Sequence, residues 1–343
     1  MLADHVGGGF PPGAAAALVD RQGAAARLWG GWAAVVPEHV PVVADTLFDL
    51  ASLTKVTVTV PLVLLLRDRG LWSLDDPVTR WVPGFPRHDV TLWHCLTHTS
   101  GLPDHRPFFR ETSGRGVRPA LFREVSLAPG TAGQVVYSDL NFMLLGWALE
   151  ACAGRPLRRL AREELLMPLG MRQADFRPGR RPRPRTAATE VDGDQRPEPG
   201  VVWGEVHDGN AWALGGVAGH AGLFASVYDL AACALALLCP ERHPVLSTGS
   251  IAEMCRPQAG QPPDVRGLGW RLQPQDWGGW PASTFWHTGF TGTSLLVAPE
   301  VGVAVVLLTN AVHPRRRPDE QAQLRRDVHR AVAEAMSQGP GCP

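Results

Sequence analysis

The chain has 343 residues, 45% of them hydrophobic, which is enough for a large buried core in one domain or two. Thirty-three basic side chains balance thirty-three acidic ones, so no net field draws the molecule to nucleic acid or to an anionic membrane. The longest apolar run, 56–66, is too short to span a bilayer, and neither a nucleic-acid nor a membrane partner is expected.

The amino-terminal segment Met1–Val19 has no basic start, and Pro11-Pro12-Gly13 breaks its apolar part. It lacks the form of an export signal, so a cytoplasmic location is expected. Ala14–Val19 and Ala24–Ala34 flank the turn Asp20-Arg21-Gln22-Gly23 and read as an antiparallel hairpin. Ser52-Leu53-Thr54-Lys55 follows, ahead of an apolar run ending at Leu66. Two readings of 56–60 stay open. Val56-Thr57-Val58-Thr59-Val60 alternates like a strand, and Pro61 sits where a helix interior would lose a hydrogen bond.

The middle of the chain is mainly helical by pattern: 140–153, 156–166 and 227–238 repeat apolar residues at helical spacing. Between them, 177–200 is rich in arginine and proline and then turns acidic, which reads as a solvated loop. Ser294–Ala298 and Val303–Thr309 flank Pro299-Glu300-Val301-Gly302 as two further strands. The tail, 319–336, places Leu324, Val328, Val332 and Ala335 on one helical face and is expected to cover the sheet. The fold class is therefore α+β, an α/β sandwich whose antiparallel sheet is built from both chain ends, with a mainly helical insert. A single catalytic domain is expected, with 1–80 and 215–343 as the sheet-containing part and 81–214 as the helical part. The site is expected at the seam between them.

The six cysteines are scattered, with no Cys-x-x-Cys spacing, and are expected to be free thiols. His207-Asp208 and His220 lack metal-ligand spacing. Neither a metal nor a cofactor is expected. His98, within Thr97-His98-Thr99-Ser100-Gly101, is expected to brace a turn.

Three segments carry chemistry. In the first, a hydroxyl (Ser52) and an amine (Lys55) lie three residues apart and share a face if the segment is helical. The amine can take a serine proton only when it is desolvated or otherwise kept neutral. In the second, Tyr137-Ser138-Asp139 stands at the start of a helical pattern, where Tyr137 could relay a proton and Ser138 or Asp139 could equally cap the helix. In the third, Trp286-His287-Thr288-Gly289-Phe290 precedes a strand. Gly289 would let a substrate approach the backbone, and a backbone N–H just past it could join that of Ser52 in binding an oxyanion.

Taken together and in this order, the three segments resemble the serine β-lactamase-like hydrolase superfamily, which includes class C β-lactamases, D-alanyl-D-alanine carboxypeptidases and related carboxylesterases. Phe48-Asp49-Leu50-Ala51 before the serine, Leu96-Thr97-His98-Thr99-Ser100-Gly101 and Gly215-Gly216-Val217-Ala218-Gly219-His220 extend the resemblance along nearly the whole chain. It implies that Ser52 is the acylated nucleophile, Lys55 its base partner and Tyr137 the proton relay. The N–H groups of Ser52 and Phe290 would form the oxyanion hole. Asp139, His287, Thr288, Gly289 and His220 would border the substrate.

Two positions depart from the family pattern. Asp139 stands where an asparagine usually contacts a substrate amide, and an ionised carboxylate can only accept hydrogen bonds. His287 replaces a lysine and so removes a permanent cation, although a histidine can be protonated or donate one hydrogen bond. The expected function is cleavage of small carboxylic esters through an acyl-enzyme. β-Lactam or D-amino-acid peptide hydrolysis, acyl transfer and a non-catalytic binding role are the alternatives. The only partner expected is a small-molecule ester or amide, and the sequence carries no indication of oligomeric state.

Overall fold

The computed structural model describes residues 1–127, 133–178, 185–243 and 245–338. Its strands are β1 (Gly13–Asp20), β2 (Gly23–Ala34), β3 (Val40–Pro41), β4 (Phe48–Asp49), β5 (Phe224–Ala225), β6 (Arg271–Leu272), β7 (Phe285–Thr288), β8 (Ser294–Ala298) and β9 (Val303–Thr309). Seven of them form one antiparallel sheet in the order β3-β2-β1-β9-β8-β7-β6, and β4 pairs with β5 apart from it. Both expected hairpins are present. The two chain ends meet where β1 runs beside β9, from Ala14 opposite Thr309 to Asp20 opposite Val303.

The central strands read as unbroken apolar runs because both faces of the sheet are covered. Alternate residues point to opposite faces, so Leu295, Val297, Ala304, Val306 and Leu308 enter one core. Leu296, Ala298, Val303, Val305 and Leu307 enter the other. Burying one such leucine contributes about 1.5–3 kcal/mol. Helix Val227–Leu238 packs on the first face against β1 and β9, and its start is fixed by a reciprocal cap between Ser226 and Asp229. Helix Pro318–Gln338 covers the second face through Leu324 and Val328. The result is the expected sandwich of helices around an antiparallel sheet.

The ambiguous run after Lys55 is helical. A π-helical turn, Lys55–Thr59, leads into the α-helix Val60–Asp68. Pro61 lies at the junction of the two parts, where the backbone hydrogen-bond register changes from π to α. The threonines that suggested a strand serve the helix instead: Thr57 Oγ1 donates back to the Leu53 carbonyl at 2.8 Å, and Thr59 Oγ1 donates to the Gly219 carbonyl at 2.6 Å. Helix Asp139–Ala153 matches its expected span. The span expected as one helix over 156–166 is an α-helix, Leu157–Ala161, continued by a π-helical turn, Arg162–Leu166.

The expectation of a solvated loop over 177–200 needs correction in its central part. Residues 179–184 lie outside the described residues, but Ala187, Ala188 and Thr189 are buried. The Ala187 and Ala188 amides donate to the Leu47 and Ala33 carbonyls at 2.9 and 2.7 Å, so backbone pairing draws this stretch inward although its flanks are polar. Among the described cysteines all are free, and Cys95, Cys233 and Cys239 are buried. Burial pushes the Cys233 thiol up to about 12. Cys342 lies outside the described residues.

Candidate active site

Ser52 follows a strained turn. Ala51 has φ 45°, a left-handed conformation uncommon outside glycine, which costs about 1–3 kcal/mol and persists only where the surroundings enforce it. Here Asp49 enforces it: one carboxylate oxygen accepts the Ala51 amide at 2.8 Å, and the other accepts the His207 amide at 2.6 Å. The turn leaves Ser52 half-buried, one step ahead of the helical run that carries Lys55.

Lys55 is fully buried, and its ammonium is enclosed by acceptors. It donates to Ser52 Oγ at 2.9 Å, to Asp139 Oδ1 at 2.7 Å and to the His220 carbonyl at 3.3 Å. The rings of Tyr137 and Phe142 lie beside it, with centroids 4.9 and 5.7 Å from Nζ. Burial alone would lower the Lys55 pKa, but the charge of Asp139, and after it Tyr137, outweighs burial and holds the amine above the ordinary lysine range. Asp139 is affected in the opposite direction: burial would raise its pKa, yet Lys55, His105 and His220 together hold it well below the usual carboxylate range. In the resting site the pair is ionic, and Lys55 is a hydrogen-bond donor to Ser52.

Asp139 is the first residue of helix Asp139–Ala153, where a negative charge also suits the helix dipole. Tyr137, two residues earlier, is held by His98. His98 closes helix Leu92–Thr97 in a left-handed conformation, its Nδ1 accepts the Ser138 amide at 3.0 Å and its carbonyl accepts the Val136 amide at 2.9 Å. Its ring lies 4.7 Å from that of Tyr137. The bracing role expected of His98 is the one observed, and burial drives its pKa well down, so it is neutral.

The third segment closes the site. β7 ends at Thr288, and a side chain at Gly289 would lie 2.4 Å from the Leu50 carbonyl. Only glycine fits there. Thr291 Oγ1 donates to the Asp49 carbonyl at 2.7 Å and Thr293 Oγ1 to that of Leu50 at 3.2 Å. These contacts fasten the Gly289–Thr293 loop to the segment just before Ser52. The amides of Ser52 and Phe290 have no hydrogen-bond partner among the described residues. The Thr288 hydroxyl has none either.

His287 is buried, and its Nδ1 donates to the Thr288 carbonyl at 2.8 Å. That bond fixes the tautomer and leaves Nε2 as a buried acceptor with no partner among the described residues. Burial, followed by the charges of Lys55 and Arg266, pushes its pKa well down. His287 therefore offers a lone pair, not the cation or donor that the sequence left open. The His220 carbonyl touches Lys55, while its Nε2 meets Asp208 Oδ1 at 2.8 Å.

Sequence reasoning missed several supporting groups. Asp208, His105 and Arg266 carry no spacing signal; His105 Nδ1 lies 3.6 Å from Asp139 Oδ2, and the Arg266 guanidinium lies 5.4 Å from the Tyr137 ring centroid. A groove of 790 Å³ opens beside Val217–Gly219, lined by Trp147, Leu157 and Arg162 among others; Ser52, Lys55 and Tyr137 do not line it.

A family model described as Beta-lactamase matches residues 3–330. The chain belongs to the beta-lactamase family. This beta-lactamase family member is 27% identical over 370 residues to an Escherichia coli (strain K12) protein named "Putative D-alanyl-D-alanine carboxypeptidase", across 94% of this chain and 85% of that one. Two solved structures share the fold. The octameric penicillin-binding protein homologue from Pyrococcus abyssi superposes with a TM-score of 0.79 at 21% identity, over 98% of this chain and 76% of the other. Simvastatin synthase (LovD) from Aspergillus terreus gives 0.75 at 20% identity, over 98% and 97%. The family and the name of its relative make the protein a serine hydrolase.

Proposed function

We propose that this serine hydrolase forms an acyl-enzyme on Ser52 and cleaves small carboxylic esters. The observation that carries the reading is the Lys55 ammonium 2.9 Å from Ser52 Oγ, next to a loop whose Phe290 amide is unpartnered. Ser52 Oγ attacks the ester carbonyl, and the carbonyl oxygen takes up negative charge between the N–H groups of Ser52 and Phe290. Lys55 stabilises the oxygen as it loses its proton. Tyr137, beside the ammonium, carries that proton to the leaving alkoxide, which departs as an alcohol. Water then hydrolyses the acyl-enzyme and restores Ser52.

Asp139 favours an ester over a peptide. Its carboxylate is committed to Lys55 and, being ionised, cannot donate to the carbonyl of a substrate amide side chain. His287 and Thr288 border the substrate. Gly289 allows the close approach, and His220 supports Lys55 from behind. Ser52→Ala is expected to remove p-nitrophenyl butyrate hydrolysis while the circular dichroism spectrum is unchanged. Turnover retained in that variant would refute the proposal. Nitrocefin, assayed beside the ester, tests the substrate class: ester turnover should exceed β-lactam turnover.

A further inference from the structure

The carboxy-terminal helix does more than cover the sheet. From its first half, Gln321 Nε2 donates to the Phe290 carbonyl at 2.7 Å, and Arg325 Nη2 donates to the Gly289 carbonyl. The Gly289 carbonyl and the Phe290 N–H belong to the same planar peptide unit. Arg325 thus grips one end of the very amide whose other end is the proposed oxyanion donor. That bond is the only side-chain hydrogen bond of Arg325 among the described residues, and it has no carboxylate partner there. A guanidinium this poorly paired, with Nε buried and unpartnered, keeps its charge for the carbonyl. Burial lowers its pKa to about 10, which leaves it charged at neutral pH.

From this geometry we infer that Arg325 is a positioning residue for catalysis: its charged hydrogen bond to the Gly289 carbonyl orients and polarises the Gly289–Phe290 peptide, so that the Phe290 N–H becomes a stronger oxyanion donor. The inference rests on the proposed acyl-enzyme chemistry. Two physical effects support it. Hydrogen bonds in series strengthen one another, because electron density drawn toward the carbonyl oxygen leaves the N–H more positive, and charge-assisted bonds are the stronger kind. The peptide plane is also held from both sides, since Thr291 and Thr293 fasten the same loop to Asp49 and Leu50. Oxyanion donors act in the transition state, so the benefit should appear in kcat rather than in KM.

The test uses the full chain with p-nitrophenyl butyrate and compares wild type, Arg325→Met, Arg325→Lys and Ser52→Ala, together with the Phe290 amide proton shift by NMR. Arg325→Met is expected to lower kcat by roughly 10- to 100-fold, a fraction of what loss of a whole oxyanion donor costs, with KM within about twofold of wild type. Its Phe290 amide proton should move upfield. Arg325→Lys, which restores a charged donor, should recover most of kcat. A purely structural role would not give this kcat-only loss with rescue by lysine. Unchanged kcat in folded Arg325→Met, a rise confined to KM, or an unmoved Phe290 amide would overturn the inference while leaving the acyl-enzyme standing. Activity retained in Ser52→Ala would overturn both.

Discussion

Asp139 decides how the central lysine behaves. Where an asparagine would leave the Lys55 amine free to exchange its proton, a carboxylate 2.7 Å away binds it as an ion pair. Removing one member of a buried pair typically costs about 3–5 kcal/mol, so Asp139→Asn is expected to lose about 3 kcal/mol in guanidinium unfolding near neutral pH. The sign with pH follows from both shifts. Asp139, held low, contributes stability that is present above about pH 4 and is lost as pH falls toward its folded value; Lys55, held high, contributes stability that is present below about pH 10 and is lost above it. The difference between wild type and variant should therefore be largest and flat from about pH 5 to 9 and shrink on either side, and a difference that changes steeply within that interval would contradict the ion pair. The carboxamide would also regain a donor, so the ratio of nitrocefin to ester turnover should rise, by about tenfold.

Single residues also show what a sequence conceals. Ser52, Lys55 and Asp139 were legible because their types are chemically distinctive and their spacing places them at helix starts. The direction of the His287 hydrogen bond was not legible: its tautomer depends on the carbonyl of the next residue, which only the path of β7 decides. Nor was the service of Gln321 and Arg325, which looked like the polar side of an amphipathic helix.

At the scale of elements, the carboxy-terminal helix is fixed to the sheet by a buried histidine as well as by leucines. The His329 ring stacks on Trp277 at 4.2 Å, and its Nε2 meets Ser294 Oγ at 2.9 Å. Burial, with a smaller contribution from Arg325, pushes its pKa down to about 3. A histidine that must stay neutral when folded gives stability that is present above about pH 6.5 and is lost as pH falls toward 3, because the unfolded chain binds the proton first. The slope is about 1.4 kcal/mol per pH unit for one such group. His329→Gln is thus expected to be less stable than wild type at pH 7 but to lose about 2 kcal/mol less between pH 6.5 and 5, measured by guanidinium unfolding at each pH. Equal slopes would mean that His329 is not the group responsible.

Strands and long helices were readable where burial imposed one period over many residues, as at 294–309 and 227–238. The short strands β3 to β6 were not, because two residues carry no period and their pairing is decided by distant partners such as Phe48 with Ala225. The π-helical turn after Lys55 was hidden for a related reason: β-branched alternation favours a strand locally, and it is overridden by the local bond of Thr57 to the Leu53 carbonyl and the tertiary bond of Thr59 to the Gly219 carbonyl.

For the molecule as a whole, the site is a product of convergence. Residues from 49–55, 137–139, 207–220, 287–293 and 321–325 are joined by side-chain and backbone hydrogen bonds, and no local stretch makes these contacts alone. The resemblance that joined the three motifs made this meeting expected. Overall charge balance and composition were informative mainly by exclusion. In the proposed reading, the substrate class is decided at Asp139 and His287.

The central claim is that Ser52 is the residue that becomes acylated. Incubating wild type and Ser52→Ala with a fluorophosphonate probe and measuring intact mass tests it directly. Wild type should gain the mass of one phosphonyl adduct, located by peptide mapping on the Ser52 peptide, and Ser52→Ala should gain none. An unmodified wild type, or an adduct that persists in the alanine variant, would contradict it.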